Sequence, residues 1–239
     1  MNLEEFCRRF STLLKENSPQ PEFFSAGQEL LREVLHDPRW FGDFLGRLIH
    51  DRKFYNQQEA TFYPNEITLH RSSDPYFSVL AYIWEPHSSS AVHDHGSWGL
   101  VGSLIHRVQE TKYRRLDDGQ IEGYAELQEV SSRVIEPGET TFVLPLDKGI
   151  HEMKSLDQRV VSLNVYGKSV RLGYLQFFYP SQKKVERVYP PKLFKKVLAI
   201  RVLGSISQPW AEEILKASLS PHEPDFLQKE FQAAVAKRP

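Results

Sequence analysis

The residues whose types and spacing could do chemistry are histidines. The run VHDHGSW places His93 and His95 two apart. In a strand, alternate side chains point to the same side, so both imidazoles can meet one ion. A third ligand must come from a distant segment, and PLDKGIHEMKS supplies His151 just after a Pro and Gly turn, at the mouth of another expected strand. Three neutral imidazoles leave coordination positions open, as a catalytic metal site does and a closed structural site does not. An isolated H-x-H is more often a surface turn than a metal site; strand context and the remote His151 argue for the metal. His36, His50, His70, His87, His106 and His222 show no comparable pairing and are read as structural or solvated, with His87 and His106 the nearest reserves.

The elements that must position these residues are mostly strands. After about Glu66 the chain breaks into short β-branched and aromatic runs, FSVLAYIWE, WGLVGSLIHRVQETKYRRL, ETTFVLP, RVVSLNVYG and GYLQFFYP, separated by Gly, Pro, Asp and Ser, the texture of a β-sandwich or barrel. Before it, apolar residues recur at helical spacing, as in Phe6, Phe10, Leu13 and Leu14, then Leu30, Leu31 and Val34, then Phe41, Phe44, Leu45 and Leu48. After Pro190, LFKKVLAIRVLGSI, AEEILKASL and FLQKEFQAAVAK again read as helices with a polar face. The expectation is one domain over 1–239: a helical segment over 1–60, a β-barrel core over 61–189 and a helical extension over 190–239.

Thirty basic residues against 31 acidic give a formal charge of -1, so no general electrostatic pull toward nucleic acid or an anionic membrane is expected. The lone cysteine, Cys7, excludes an intramolecular disulfide and any Cys-based zinc or iron–sulfur site. No segment approaches about 18 consecutive apolar residues, and the N-terminus lacks the basic start and apolar run of a signal peptide. A cytoplasmic protein with no export signal and no membrane span is expected.

Taken together, VHDHGSW, the remote His151 and the strand Ser162-Leu163-Asn164-Val165-Tyr166 resemble the cysteine dioxygenase family of thiol dioxygenases, within the cupin superfamily, over roughly Glu66 to Pro180. The resemblance implies a cupin double-stranded β-helix, or jelly-roll barrel, and iron(II) on His93, His95 and His151. Cupins in general carry a Glu ligand a few residues after H-x-H; Gly99 takes that place here, which favours the three-His subclass. Thiol dioxygenases show Ser-x-His-x-Tyr where this chain has Ser162, Asn164 and Tyr166. The spacing that puts the three on one strand face is kept. The amide of Asn164 can relay a hydrogen bond but cannot gain and lose a proton near neutral pH. Animal members carry a cysteine after H-x-H that crosslinks to the tyrosine; Gly96-Ser97-Trp98-Gly99-Leu100 contains none, so the sequence is more similar to the bacterial type.

The implied activity is oxidation of a small carboxylate-bearing thiol, of the cysteine or 3-mercaptopropionate type, by dioxygen to its sulfinate. Tyr166 would donate a hydrogen bond to dioxygen, with Ser162 and Asn164 orienting it. The substrate carboxylate calls for a planar cation, and Arg71 and Arg171 are the candidates; the register through NEITLHRSSDPYF leaves Asn65 as an alternative to Arg71. Trp98 could wall the pocket. Three histidines alone do not choose the metal or the chemistry, so two other readings stay open. One is a different three-His metalloenzyme, such as a dicarbonyl dioxygenase, an isomerase or a hydrolase; the other is a non-catalytic small-molecule-binding cupin. Monomer and homodimer are both compatible with the sequence.

Overall fold

The computed structural model describes residues 1–58 and 62–236; the expected junction of helical segment and barrel, at 60 and 61, lies outside them. The first helix, α1 (Leu3–Glu16), is started by the Asn2 side chain accepting from the Glu5 amide at 2.9 Å, an N-cap that satisfies an orphan donor. It buries Leu3, Phe6, Cys7 and Phe10 along one stripe. Helix α2 (Pro21–Leu35) opens with proline at a position that needs no amide hydrogen. Then come α3 (Arg39–His50) and α4 (Arg52–Gln57), the latter capped by the Asp51 carboxylate.

Eleven strands follow among the described residues: β1 (Glu66–Ser73), β2 (Tyr76–Trp84), β3 (Val92–His93), β4 (Gly99–Ile105), β5 (Val108–Arg115), β6 (Leu127–Ile135), β7 (Thr140–Val143), β8 (His151–Ser155), β9 (Val160–Gly167), β10 (Leu175–Tyr179) and β11 (Lys184–Val188). They form two antiparallel sheets, ordered β1-β2-β9-β4-β7 and β11-β10-β3-β8-β5-β6. The pairings nest. β5 pairs β6, β4 pairs β7, β3 pairs β8 and β2 pairs β9, and successive pairs alternate between the sheets. One long antiparallel ribbon is thus wound on itself. That is the double-stranded β-helix expected from the sequence, mainly β with helices before and after it.

Side-chain alternation divides the first sheet into two apolar faces. Phe77, Val79 and Ala81 of β2, with Leu163 and Val165 of β9, pack with Phe6, Phe10, Phe23 and Leu31 of α1 and α2. Leu80, Tyr82 and Trp84 turn the other way and meet Val108, Ile135 and Met153 of the second sheet inside the barrel. Because both faces are covered, β2 and β9 read as almost unbroken apolar runs.

The chain divides into two compact units, Met1–Arg171 with Leu175–Arg187, and Leu172–Tyr174 with Val188–Pro239. The first holds the barrel and α1–α4. The second is built on α5 (Pro191–Gly204), α6 (Pro209–Ser218) and α7 (Asp225–Ala236), which share a core of Val197, Ile200, Leu215, Leu227 and Phe231. No helix among the described residues is long and apolar enough to cross a membrane.

Candidate metal centre

Winding the ribbon sets His93, at the end of β3, directly opposite His151, the first residue of β8. Strand pairing ends at His93, so His95 lies in the following loop and not, as the H-x-H pattern suggests, on the same strand. Its ring nonetheless lies with the other two. The residue between them is the reason. Asp94 is fully buried, accepts both Arg171 guanidinium nitrogens at 2.5 and 2.6 Å and the Gln176 amide at 2.8 Å, and so pins the loop from the opposite face. The Leu146 amide also donates to His95 O at 2.8 Å, joining this loop to the turn before His151. Gly149 in that turn has no alternative, since a Cβ there would stand 1.9 Å from Leu144 O.

All three histidines are buried, with ring centroids 4.7, 4.9 and 5.0 Å apart. One nitrogen from each lies within 4.8 Å of the others, so the set can hold a metal ion. Their outer nitrogens are committed elsewhere: His93 Nδ1 lies 2.8 Å from Ala91 O, and His151 Nδ1 lies 3.0 Å from Glu110 Oε1. Both acceptors call for a proton on Nδ1, which leaves the Nε2 lone pairs facing inward. His95 Nε2 and His151 Nε2 stand 2.9 Å apart, about the roughly 3 Å separation of two nitrogens bound at right angles to one ion at about 2.1 Å. Burial lowers the affinity of His93 for a proton to a pKa of about 3, aided by His151; burial, with His93, His151 and Arg171 near, lowers that of His95 as well. Neutral imidazoles are what a metal needs, and three of them suit zinc, copper, iron or nickel. The residues present therefore fit a resident metal.

Glu110 carries no motif that marks it in the sequence. It is 1% exposed on β5, and besides His151 it accepts from Thr141 Oγ1 at 2.8 Å and lies 3.6 Å from Lys112 Nζ. Burial pushes its carboxyl up, but the hydrogen bond from His151, with the Lys112 charge and the Thr141 hydroxyl, outweighs this and holds it below the ordinary range. A carboxylate behind a ligand histidine fixes its tautomer and strengthens it as a donor. The available signal is phase: Val108 and Glu110 share the inward side of β5, where an acid has no reason to be without a partner.

The three histidines open on a cavity of about 300 Å³, whose wall includes Tyr63, Glu66, Arg71, Ser78, Tyr82, Asn164 and Tyr166. The Tyr166 ring stacks on His95 at 5.1 Å, and Asn164 Nδ2 donates to its hydroxyl at 2.9 Å. Ser162 is placed differently from the expectation: it accepts from Trp84 Nε1 at 3.2 Å, one strand position further from Tyr166. Gly99 lies opposite Tyr166 in the sheet, and a Cβ there would come within 2.7 Å of the phenol ring. The ring therefore fills the space in which a fourth, carboxylate ligand would stand.

The remaining candidates separate. Arg71 lines the cavity because β1 slips register between Thr68 and His70, a bulge that turns it to the inner face. Asn65 donates to Ile83 O at 3.0 Å as a backbone brace. Arg171 is bound to Asp94 and lies outside the cavity wall. Trp98, one residue out of phase with Gly99, packs on the helix side against Phe10, Phe23 and Phe24 at 6.3, 5.0 and 6.2 Å. Two polar atoms on the wall, Tyr63 Oη and Asn164 Oδ1, are buried with no protein partner, as fits a cavity meant for a polar occupant.

No protein-family model matches the chain. Solved structures similar to it include the DMSP lyase DddQ from Ruegeria pomeroyi DSS-3, at 13% identity over 48% of this chain and 51% of that one, TM-score 0.35. Another is a cupin 2 conserved barrel domain protein from Salinispora arenicola CNS-205, at 16% identity over 46% and 82%, TM-score 0.33. A third is an oxalate oxidase in complex with the substrate analogue glycolate, at 16% over 51% and 60%, TM-score 0.36. The chain spans about half the length of the lyase. Function is read below from the site's own residues.

Two outcomes are expected. Glu110→Gln should weaken metal binding by roughly 10- to 100-fold with the melting temperature of the metal-free protein little changed, as competition with a chelator will show. Because His93 and His95 have folded pKa values below the ordinary 6.5, the unfolded chain binds more protons below that pH. Metal-free protein should then lose roughly 1.4 kcal/mol per pH unit per histidine as pH falls below about 6.5, measured as urea midpoints.

Proposed function

We propose that this chain is an iron(II)-dependent thiol dioxygenase that oxidises a small carboxylate-bearing thiol, of the cysteine or 3-mercaptopropionate type, to its sulfinate. The observation that carries the reading is a row across the first sheet, Arg71, Ser78, Tyr166 and Gly99, set side by side by strand register. It puts one cation and one phenol on the wall of the cavity that the three histidines open on. The small Ser78 between them leaves room for a short substrate.

Iron(II) bound there would favour the thiolate and bring dioxygen beside sulfur. The chain's own residues do the rest. His93, His95 and His151 present lone pairs, with Glu110 and Ala91 O setting two of the tautomers. Arg71 offers paired donors to the substrate carboxylate from the cavity rim, where it is exposed and makes a long 3.4 Å contact to Thr68 Oγ1. Leu80, Trp84 and Met153 close the apolar part of the wall and keep water from the reacting atoms. In the balanced reaction RSH and O2 give RSO2⁻ and one proton; sulfur gives four electrons and dioxygen takes four.

A second reading keeps the three histidines and changes the chemistry to another metal-dependent reaction or to ligand binding without turnover; Asn164, which moves no proton, favours it. Oxygen uptake after anaerobic iron(II) loading separates the two. Uptake with 3-mercaptopropionate or cysteine and a product heavier by two oxygen atoms is expected; no uptake with any small thiol removes the proposal. Arg71→Ala should raise KM for 3-mercaptopropionate by roughly 10- to 100-fold and leave KM for cysteamine, which has no carboxylate, unchanged.

A further inference from the structure

Helix α5 is apolar on two sides. Val197 and Ile200 belong to the core of the second unit, while Phe194, Leu198 and Val202 recur every four residues on a separate stripe and stay open to solvent. On α6, Trp210 and Ile214 do the same, out of phase with the buried Ala211 and Leu215. These five side chains are between 41 and 57% exposed, on two helices that pack together. A helix apolar all round is ordinarily covered, and large apolar side chains gathered in stripes on neighbouring helices mark an interaction surface, unlike single ones scattered over a protein.

Charge shows what kind of partner fits. The neighbouring ions are paired within the unit: Lys196 with Glu223 at 2.8 Å, Arg201 with Glu230 at 2.8 Å and Lys216 with Glu212 at 2.6 Å. Lys195 and Glu213 are exposed and have no ion-pair partner among the described residues. At about 100° per residue, Lys195 stands next to Leu198 and Val202 at the border of the α5 stripe, and Glu213 stands next to Trp210 at the border of the α6 stripe. The surface thus has an apolar centre, an unpaired cation on one helix and an unpaired anion on the other.

We propose that this face binds a second copy of the chain about a two-fold axis, with α5 of one protomer against α6 of its partner, and the reverse. In such an interface every contact occurs twice, residue i on j and j on i. Lys195 of each protomer then meets the partner's Glu213. A surface bearing both signs on different helices complements its own copy, whereas a surface of one sign would repel it. The apolar stripes supply the buried centre, and the two ion pairs at its border set the register. A membrane surface fits less well, because an interfacial helix carries a basic border and this one carries an anion too. No residue of the metal centre takes part, so the pairing is independent of the thiol reading.

Sedimentation velocity on the full chain at tens of micromolar tests the pairing, and a dimer is expected. Leu198→Asp and Ile214→Asp change exposed positions and should each give a monomer with unaltered far-ultraviolet circular dichroism. Lys195→Glu or Glu213→Lys alone sets like charges opposite one another at both borders and should weaken the dimer by roughly 10- to 100-fold. An equimolar mixture of these two single variants restores opposite charges at both borders and should form a heterodimer about as tight as the wild-type dimer. A contribution of either residue to folding of its own chain would not give that rescue. Wild-type protein that stays monomeric, whether or not it binds phosphatidylcholine vesicles, overturns the proposal. So does a dimer that survives both Asp substitutions, or a pair of charge variants that gain nothing from being mixed.

Discussion

Everything at this site depends on keeping three imidazoles uncharged and close together in a place with little water. Three positive rings with centroids about 5 Å apart would repel one another strongly at low dielectric, and burial biases His93 and His95 toward their neutral forms. The geometry then has to be enforced by groups that accept from the outer nitrogens. Ala91 O does this for His93 and Glu110 for His151. Asp94, bound between Arg171 and the Gln176 amide, holds the backbone on which His95 stands. A charged pair buried so deeply is a costly way to stabilise a fold; its service here is to place the two histidines that flank it.

The wound ribbon explains why residues so far apart in sequence meet. His93 and His151 are 58 positions apart but directly paired, because β3 and β8 are the third layer of the same ribbon that begins with the β5–β6 hairpin. Each layer fixes the register of the next, and a one-residue slip would turn every inward side chain out. The single slip in β1, between Thr68 and His70, shows that rule in use: it moves Arg71 from the outer phase to the inner one while Glu66 stays inside.

Much of this is legible in the sequence. The alternation of apolar runs with turn residues points to a β-barrel with helices on both sides, and H-x-H with a remote His after a Gly turn picks out the three rings that come together. The rest is hidden for definite reasons. A bulge leaves no mark in composition, so Arg71 and Asn65 cannot be ranked without the register. Arg171 resembles a clamp in the sequence because its partner, Asp94, reads there only as the spacer of H-x-H. Trp98 depends on a phase that flips by one residue at the start of β4. Glu110 is ordinary in its own segment and acquires meaning only from His151 on the strand opposite.

The substitution of Asn164 is where sequence and structure together say more than either alone. An amide that donates to a phenol hydroxyl holds the ring in place without itself gaining or losing a proton. Tyr166 stands between Ser78 and Gly99, and Asn164 between Leu80 and Val101, both set by the register of β9 with its two neighbours. A histidine at 164 would make a local proton carrier beside the three imidazoles; the amide, by contrast, anchors the Tyr166 hydroxyl at 2.9 Å and carries no proton. The same winding that gathers the histidines therefore also sets this phenol opposite Gly99 and against the His95 ring.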